Sequence, residues 1–487
     1  MRHIRAYLET NDDGLCMAHM PELPGCTARA AAREQVLERL PDAIRDYAAW
    51  LRRHGEPLAD EADPVEMEVL GESEHIGPFH PGNATNLLPP DLEPIGSAEV
   101  EGLLRRMEYA RADLLALVSA LPDEILDWQP DPERWHLRRV LRHIGNADKW
   151  YVSRIVPVAS LPPDWERDAE MPLLEYLEMT RRTAVARLRE LRGEDAETVF
   201  YPAEWTDHPE EGWTLRKALR RFLEHEREHT GQVREILSAW RLHLLARIHA
   251  ERANLLAALV GTDADSLSTR PACADWTAKD LLAHVAAWDA AHLERMQQVL
   301  TGNAGQLKTF DTDARNAAMH AERKDWSLAR TLQELLASRS AYLQALAQVS
   351  DEELHGTHQT PWGAVPVRFW AERRAAHDAA HAADLASFRK AGGLGRATGP
   401  RALLLAQLAA VREELLAAAA LVPPDQRTAR TVCGEWTLKD AVAHVADWER
   451  VAAEALRAMA AGAAPAIRET DIESFNPAHY SQRQNEA

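Results

Sequence analysis

The chain repeats itself. A tryptophan followed eight residues later by a histidine occurs as Trp135/His143, Trp276/His284 and Trp436/His444. Segment 274–288 reads ADWTAKDLLAHVAAW and segment 434–448 reads GEWTLKDAVAHVADW. Segment 133–147, ERWHLRRVLRHIGNA, keeps the Trp and the His in the same register. The spacing from Trp135 to Trp276, and from Trp276 to Trp436, is that of whole domains. A period that long means duplicated domains and not a solenoid of short repeats.

From Ser97 onward the apolar residues recur with helical period. The first block is expected to hold helices near 98–120, 135–156, 172–192 and 213–240. The second is expected to hold them near 243–260, 276–300, 327–349 and 366–389. Gly392-Gly393 to Gly399-Pro400 then punctuate the chain. A third block has helices near 401–421 and 437–461 and no more. Thr277 with Asp280 and Thr437 with Asp440 read as capping boxes, whereas block one has His136 and Arg139 there and must open its helix another way. Antiparallel bundles bury such stripes most simply. The expected fold is mainly α: four-helix bundles over 98–241 and 242–392, then a half-bundle over 400–487. A two-helix half-bundle leaves an apolar face open, which is expected to dock on the second bundle or to pair with a second copy as a homodimer.

Segment 1–71 reads differently. Arg2 to Glu9 is expected to be a strand, Asn11-Asp12-Asp13-Gly14 a turn, and Leu15 to Met20 the returning strand. A helix from about Ala31 to His54, bent or split at Pro41, and a strand from Val65 to Leu70 complete a small α+β domain. Residues 72–97, rich in Gly, Pro, Asn and Asp, read as a linker. The hairpin around Asp12-Asp13-Gly14, the Leu23-Pro24-Gly25-Cys26 corner and the long helix ending near His54-Gly55 resemble the HicB-like antitoxin fold. That resemblance implies a protein partner for the domain through its exposed strand edges. No DNA-binding tail follows it.

The chemistry sits in the histidines. Block one carries His225-Glu226-Arg227-Glu228-His229, and block two carries His377-Asp378-Ala379-Ala380-His381. A pair at i and i+4 puts two imidazoles on one helix face. His143 in block one and His284 in block two lie at the edge of an apolar arc on another helix. Each block thus offers three nitrogens to one divalent ion, with positions left open. Neutral imidazole suits zinc, nickel or iron, and spacing does not choose among them. The two last helices, LRRFLEHEREHTGQV and RFWAERRAAHDAAHAAD, share little besides the histidine pair. His225 to His229 also satisfies the HExxH pattern of zinc proteases. A helical bundle is the wrong setting for a protease cleft, and block two has Asp378 in place of the Glu. Glu226 is expected to face solvent or to lie behind the histidines. With Trp288 and Trp448 it is a candidate pocket residue. No catalytic base can be assigned.

With these residues in hand, the helical blocks resemble the DinB-like superfamily of four-helix bundles. The carriers are the Trp-x7-His of the second helix and the His-x3-His of the last, including His229-Thr230-Gly231-Gln232. Blocks two and three also resemble its ClbS and DfsB branch through Trp-Thr-x-Lys-Asp-x3-His-x3-Trp. The resemblance implies a three-histidine metal site at His143, His225 and His229, and again at His284, His377 and His381. It also implies a low-molecular-weight thiol as cofactor or co-substrate. The activity implied is that of a hydrolase or thiol transferase acting on a small electrophile or thiol adduct. The competing readings are a ligand-sequestering or damage-response scaffold without catalysis, and an antitoxin-like protein.

A formal net charge of −20 disfavours nonspecific binding to nucleic acid. The longest apolar run, Leu415 to Val422, is too short to span a bilayer, and the N-terminus lacks the apolar run of a signal peptide. Four scattered cysteines give no disulfide framework, and a reducing cytoplasm is the expected location.

Overall fold

The computed structural model describes residues 2–56, 58, 65–75, 86–161, 171–191, 197–206, 208–393, 401–464 and 472–483. The chain divides into two units, Met1–Trp240 with His355–Thr357, and Arg241–Leu354 with His358–Ala487.

The first unit opens with strands β1 (Arg2–Asn11), β2 (Cys16–His19) and β3 (Thr27–Ala30), helix α1 (Arg33–Arg53) and strand β4 (Val65–His75). The sheet order is β3-β2-β1-β4, with β1 antiparallel to β2 and parallel to β4. Gly14 takes a positive φ of 82° at the β1–β2 turn, where a side chain would be strained. Helix α1 lays Val36, Leu40, Ile44, Tyr47 and Leu51 on Ile4, Ala6, Leu8, Cys16 and Ala18 of the sheet. Pro41 lies inside α1 without splitting it. Strand β3 has no counterpart in the sequence reading, because TARA carries no branched apolar residue to mark it.

The expected linker is more structured than its composition suggests. Strand β4 runs on to His75, and residues 76–85 lie outside the described residues. Pro89–Leu92 then makes a 3-10 turn with Asp91 buried. Both Asp91 oxygens accept from Arg220, at 3.0 and 2.7 Å.

Helices α2 (Ser97–Val118), α3 (Leu137–Ser153), α4 (Leu173–Glu190) and the first part of α5 (Leu215–Ala257) form the first bundle. Leu104, Met107, Tyr151, Leu188, Leu219 and Phe222 fill its core. The side chain of His136 caps α3 by accepting from the Arg139 N–H, which is how block one opens this helix without a Thr. Helices expected near 213–240 and 243–260 are one element of 43 residues. No Gly or Pro interrupts residues 232–260, so nothing in the backbone stops the helix.

In the second unit the rest of α5 joins α6 (Ala278–Leu300), α8 (Leu328–Ala347) and α9 (Arg368–Phe388) in the second bundle. Helix α7 (Thr312–Arg323), between α6 and α8, is an addition to the expected four. It buries no residue of its own, so it left no apolar stripe to find. Thr277 and Thr437 cap α6 and α11 through the expected boxes with Asp280 and Asp440. The third block has α10 (Arg401–Ala420), α11 (Leu438–Ala460) and a third helix, α12 (Ile472–Arg483), which corrects the two-helix reading. Ala409 and Ala410 of α10 join the second bundle's core cluster, and Glu413 meets His249 of α5. Block three thus meets block two through the Ala409, Ala410 and Glu413 face of α10, and not through the open apolar face for which docking was expected. Among the described residues no helix is long and apolar enough to cross a membrane.

Candidate metal centres

Helix α3 brings His143 to face His225 and His229 of α5, and helix α6 brings His284 to face His377 and His381 of α9. In each trio the ligand nitrogens lie within 4.8 Å of one another. His143 Nε2 stands 3.1 Å from His225 Nε2. His377 Nε2 stands 3.0 Å from His284 Nε2 and 3.2 Å from His381 Nε2. Nitrogens bound tetrahedrally to zinc at about 2.0–2.1 Å would stand about 3.3 Å apart. The trios are therefore close to the spacing an ion requires. Buried His229 Nε2 finds no hydrogen-bond partner among the described residues, as expected of a ligand atom.

Burial favours the neutral form of five of these rings. It holds His143 and His225 below the usual imidazole range and pushes His229 down to about 3, with His143 adding to the effect on His229. It also lowers His284 to about 3 and depresses His377 further, with Arg374 and the neighbouring imidazoles adding to the effect on His377. A neutral imidazole presents a lone pair to a metal, and proximity between cationic rings would disperse them.

The outer nitrogens are held too. His229 Nδ1 lies 2.8 Å from Gln232 Oε1, and His381 Nδ1 lies 3.0 Å from Asp384 Oδ2. An Asp384 carboxylate can only accept, so Nδ1 of His381 carries a proton, and Nε2 is the nitrogen turned towards His377. Trp135 and Trp276 set their rings edge-on to His143 and His284, with centroids 5.3 and 5.2 Å away. The repeated Trp thus walls each histidine in.

Beneath each trio lies a buried box of ion pairs that the sequence reading missed. In the first bundle Asp148 accepts from Arg111 at 2.9 Å and from Arg181 at 2.8 Å, and both arginines also pair with Glu226. In the second, Asp289 accepts from Arg252 at 2.8 Å and Arg339 at 3.0 Å, and both also pair with Asp378. Arg252 and Asp289 follow Arg111 and Asp148 by the same offset that carries Trp135 to Trp276. That offset was the available signal. Glu226 is consequently neither solvent-facing nor poised as a protease base. It is buried beside its histidine and committed to two arginines, because the helix face next to a ligand looks inward.

Trp288 is buried, and its Nε1 donates to Asn316 of α7 at 2.9 Å. Trp448 repeats this with Asn476 of α12 at 3.0 Å. Both are therefore fixed by a helix absent from the sequence reading. His444 lies against Trp436, tilted at 56° with centroids 4.8 Å apart, but has no trio among the described residues. His479 stacks on Phe475 and stands 3.4 Å from Asp447.

The first centre opens on a cavity of about 470 Å³ whose lining includes Arg29, Trp135, Glu228, His229, Gln232 and Ile236. Arg29 comes from strand β3, so the N-terminal sheet contributes to that wall.

The family model described as the DinB superfamily matches residues 106–233 and again residues 247–385. Those stretches cover more than half of the 487 residues. The chain belongs to the DinB superfamily. Each DinB match encloses one complete histidine trio and one complete Arg–acid box. A second model, the mycothiol maleylpyruvate isomerase N-terminal domain, matches residues 401–486, the third block. Comparison with curated proteins and with solved structures gives no match.

Proposed function

We propose that both trios bind a divalent ion and that the chain is a metal-dependent enzyme joining a thiol or water to a small electrophile. The observation that carries the reading is the convergence of three imidazoles in each DinB bundle at the spacing one ion needs. The ion would supply a Lewis acid that makes a thiol or water nucleophilic at neutral pH. The chain's own residues do the rest. Gln232 and Asp384 orient the imidazoles, and Trp135 and Trp276 keep water from their flanks. The first centre's cavity is lined by charges of both signs, Arg29 and Arg134 with Glu133, Glu228 and Glu235, which suits a polar substrate. The third block's likeness to a mycothiol-enzyme domain supports a low-molecular-weight thiol as co-substrate.

The N-terminal α+β region, whose hairpin and long helix resemble the HicB-like fold, serves in this reading as part of the first cavity's wall. It is anchored for that purpose. Trp50 Nε1 donates to Asp113 at 2.7 Å, and the Arg227 guanidinium covers the Trp50 ring at 4.1 Å.

Metal analysis of protein purified without a histidine tag tests the proposal. Two equivalents per chain are expected, one remaining after His143→Ala and none after His143→Ala with His284→Ala. Absence of bound metal from every preparation, including protein refolded with zinc, nickel or iron, would overturn it.

A further inference from the structure

The third block continues the register of the second bundle, displaced along the chain as Trp436 is from Trp276, but its inner face is bare. Ile248, Met296 and Val299 are core residues of the second bundle, no more than 1% exposed. Their counterparts Leu408, Leu456 and Met459 are 60%, 66% and 57% exposed. The ion-pair box follows the same register. Arg412 and Glu449 stand where Arg252 and Asp289 stand, and they pair with each other at 3.5 Å in solvent. Helix α12 does not supply the cover. It sits where α7 sits, with Asn476 on Trp448 as Asn316 is on Trp288. Nor does the docked face of α10, since Ala409, Ala410 and Glu413 point away from the bare one.

The complete boxes say what fits. In each bundle the first two helices bring one arginine and one acid, and the last two bring another arginine and another acid. Arg252 bonds Asp378 of the opposite half while Arg339 bonds Asp289 of the first. A half carrying one charge of each sign is thus complementary to a half of the same kind. Across a two-fold axis, Arg412 of one copy meets Glu449 of the other, and the reverse.

We propose that two copies of this chain join through the bare faces of α10 and α11 to form one composite four-helix bundle. Its box is built from two Arg412 and two Glu449 residues. The composite contains two His444 imidazoles where a complete trio has three, so dimerisation adds no third centre of the kind described above. The inference is independent of the metal reading.

Light scattering on the full chain after size exclusion tests it. The wild type is expected to be a dimer at micromolar concentration. Arg412→Glu and Glu449→Arg are each expected to be monomers, since each places like charges across the axis. Mixed in equal amounts, the two variants are expected to form a heterodimer, and the doubly swapped chain is expected to dimerise alone. Leu456→Glu is expected to give a monomer with an unchanged far-ultraviolet circular dichroism spectrum. A monomeric wild type overturns the proposal, and so does either charge variant or Leu456→Glu remaining dimeric. Failure of the mixture and of the double swap to dimerise overturns it as well. A third metal equivalent per chain would also overturn it, by showing that a histidine-bearing segment other than a second copy covers the face.

Discussion

Asp289 shows how much one side chain can hold in this protein. It is fully buried, and Arg339, Arg252 and Arg374 all face it. Burial opposes its charge, and the three guanidiniums more than offset that, leaving its carboxyl well below the usual carboxylate range. Removing one member of such a network strands the others without water. Asp289→Asn is therefore expected to cost about 3–5 kcal/mol of the second unit's stability, read as a shift in the urea midpoint. A loss under about 1 kcal/mol would show that water or a rotated arginine takes up the charge. The box was invisible to a reading that searched for metal ligands. An arginine or aspartate inside a helix reads as a solvated face until its partners on three other helices are known. The histidines were legible because the Trp-x7-His and His-x3-His spacings place them on helix faces without reference to any other helix.

At the level of elements, what the chain showed plainly was the periodic helices, and what it hid were the elements made for contact alone. Helix α7 buries no side chain of its own and meets Trp288 through Asn316, and the short helix α12 meets Trp448 through Asn476 and the ring of Phe475, and Trp436 through the ring of Tyr480. Strand β3 is four residues of Thr, Ala and Arg. The repeat pattern predicts a helix boundary within α5, where one repeat ends and the next begins, and the helix runs through because no breaker stands there. Caps, in contrast, were legible to the residue. The Thr277 hydroxyl accepts from the Asp280 N–H while Asp280 accepts from the Thr277 N–H at 3.0 Å. Thr277→Ala is expected to lower the second unit's stability by about 1 kcal/mol. The same change at His136, whose Nδ1 takes the cap at 3.3 Å, is expected to cost less, because the Thr277 hydroxyl makes two bonds, accepting from the Asp280 N–H at 3.2 Å and donating to the Asp280 carboxylate at 2.7 Å. Paired urea titrations of the two variants check the order. An equal or larger loss at His136 would mean that its ring does more than cap.

For the molecule as a whole, the buried imidazoles tie stability to acidity. His143, His225, His229, His284, His377 and His292 all have folded pKa values below the ordinary 6.5. When the folded value is the lower one, the unfolded chain binds protons first as pH falls. The stabilisation is complete above about 6.5 and drains away below it, towards the folded values near 3 for His229 and His284. Each such histidine costs up to about 1.4 kcal/mol per pH unit in that window. Metal-free protein is therefore expected to lose urea resistance between pH 7 and pH 5. A flat midpoint over that range would mean that the rings protonate in the folded state.

The pair of outer contacts on the last helices has a further consequence. One imidazole leans on the neutral amide of Gln232, the other on the anionic carboxylate of Asp384. A negative neighbour makes its imidazole the stronger electron donor. Two centres descended from one ancestor would then part in temperament: the amide-backed ion the sharper electrophile and the quicker to leave, the carboxylate-backed ion tenacious and milder. A chelator should strip a doubly loaded chain in two phases, and Asp384→Asn should merge them into one. A single phase in the unaltered protein would mean the duplication left two interchangeable tools.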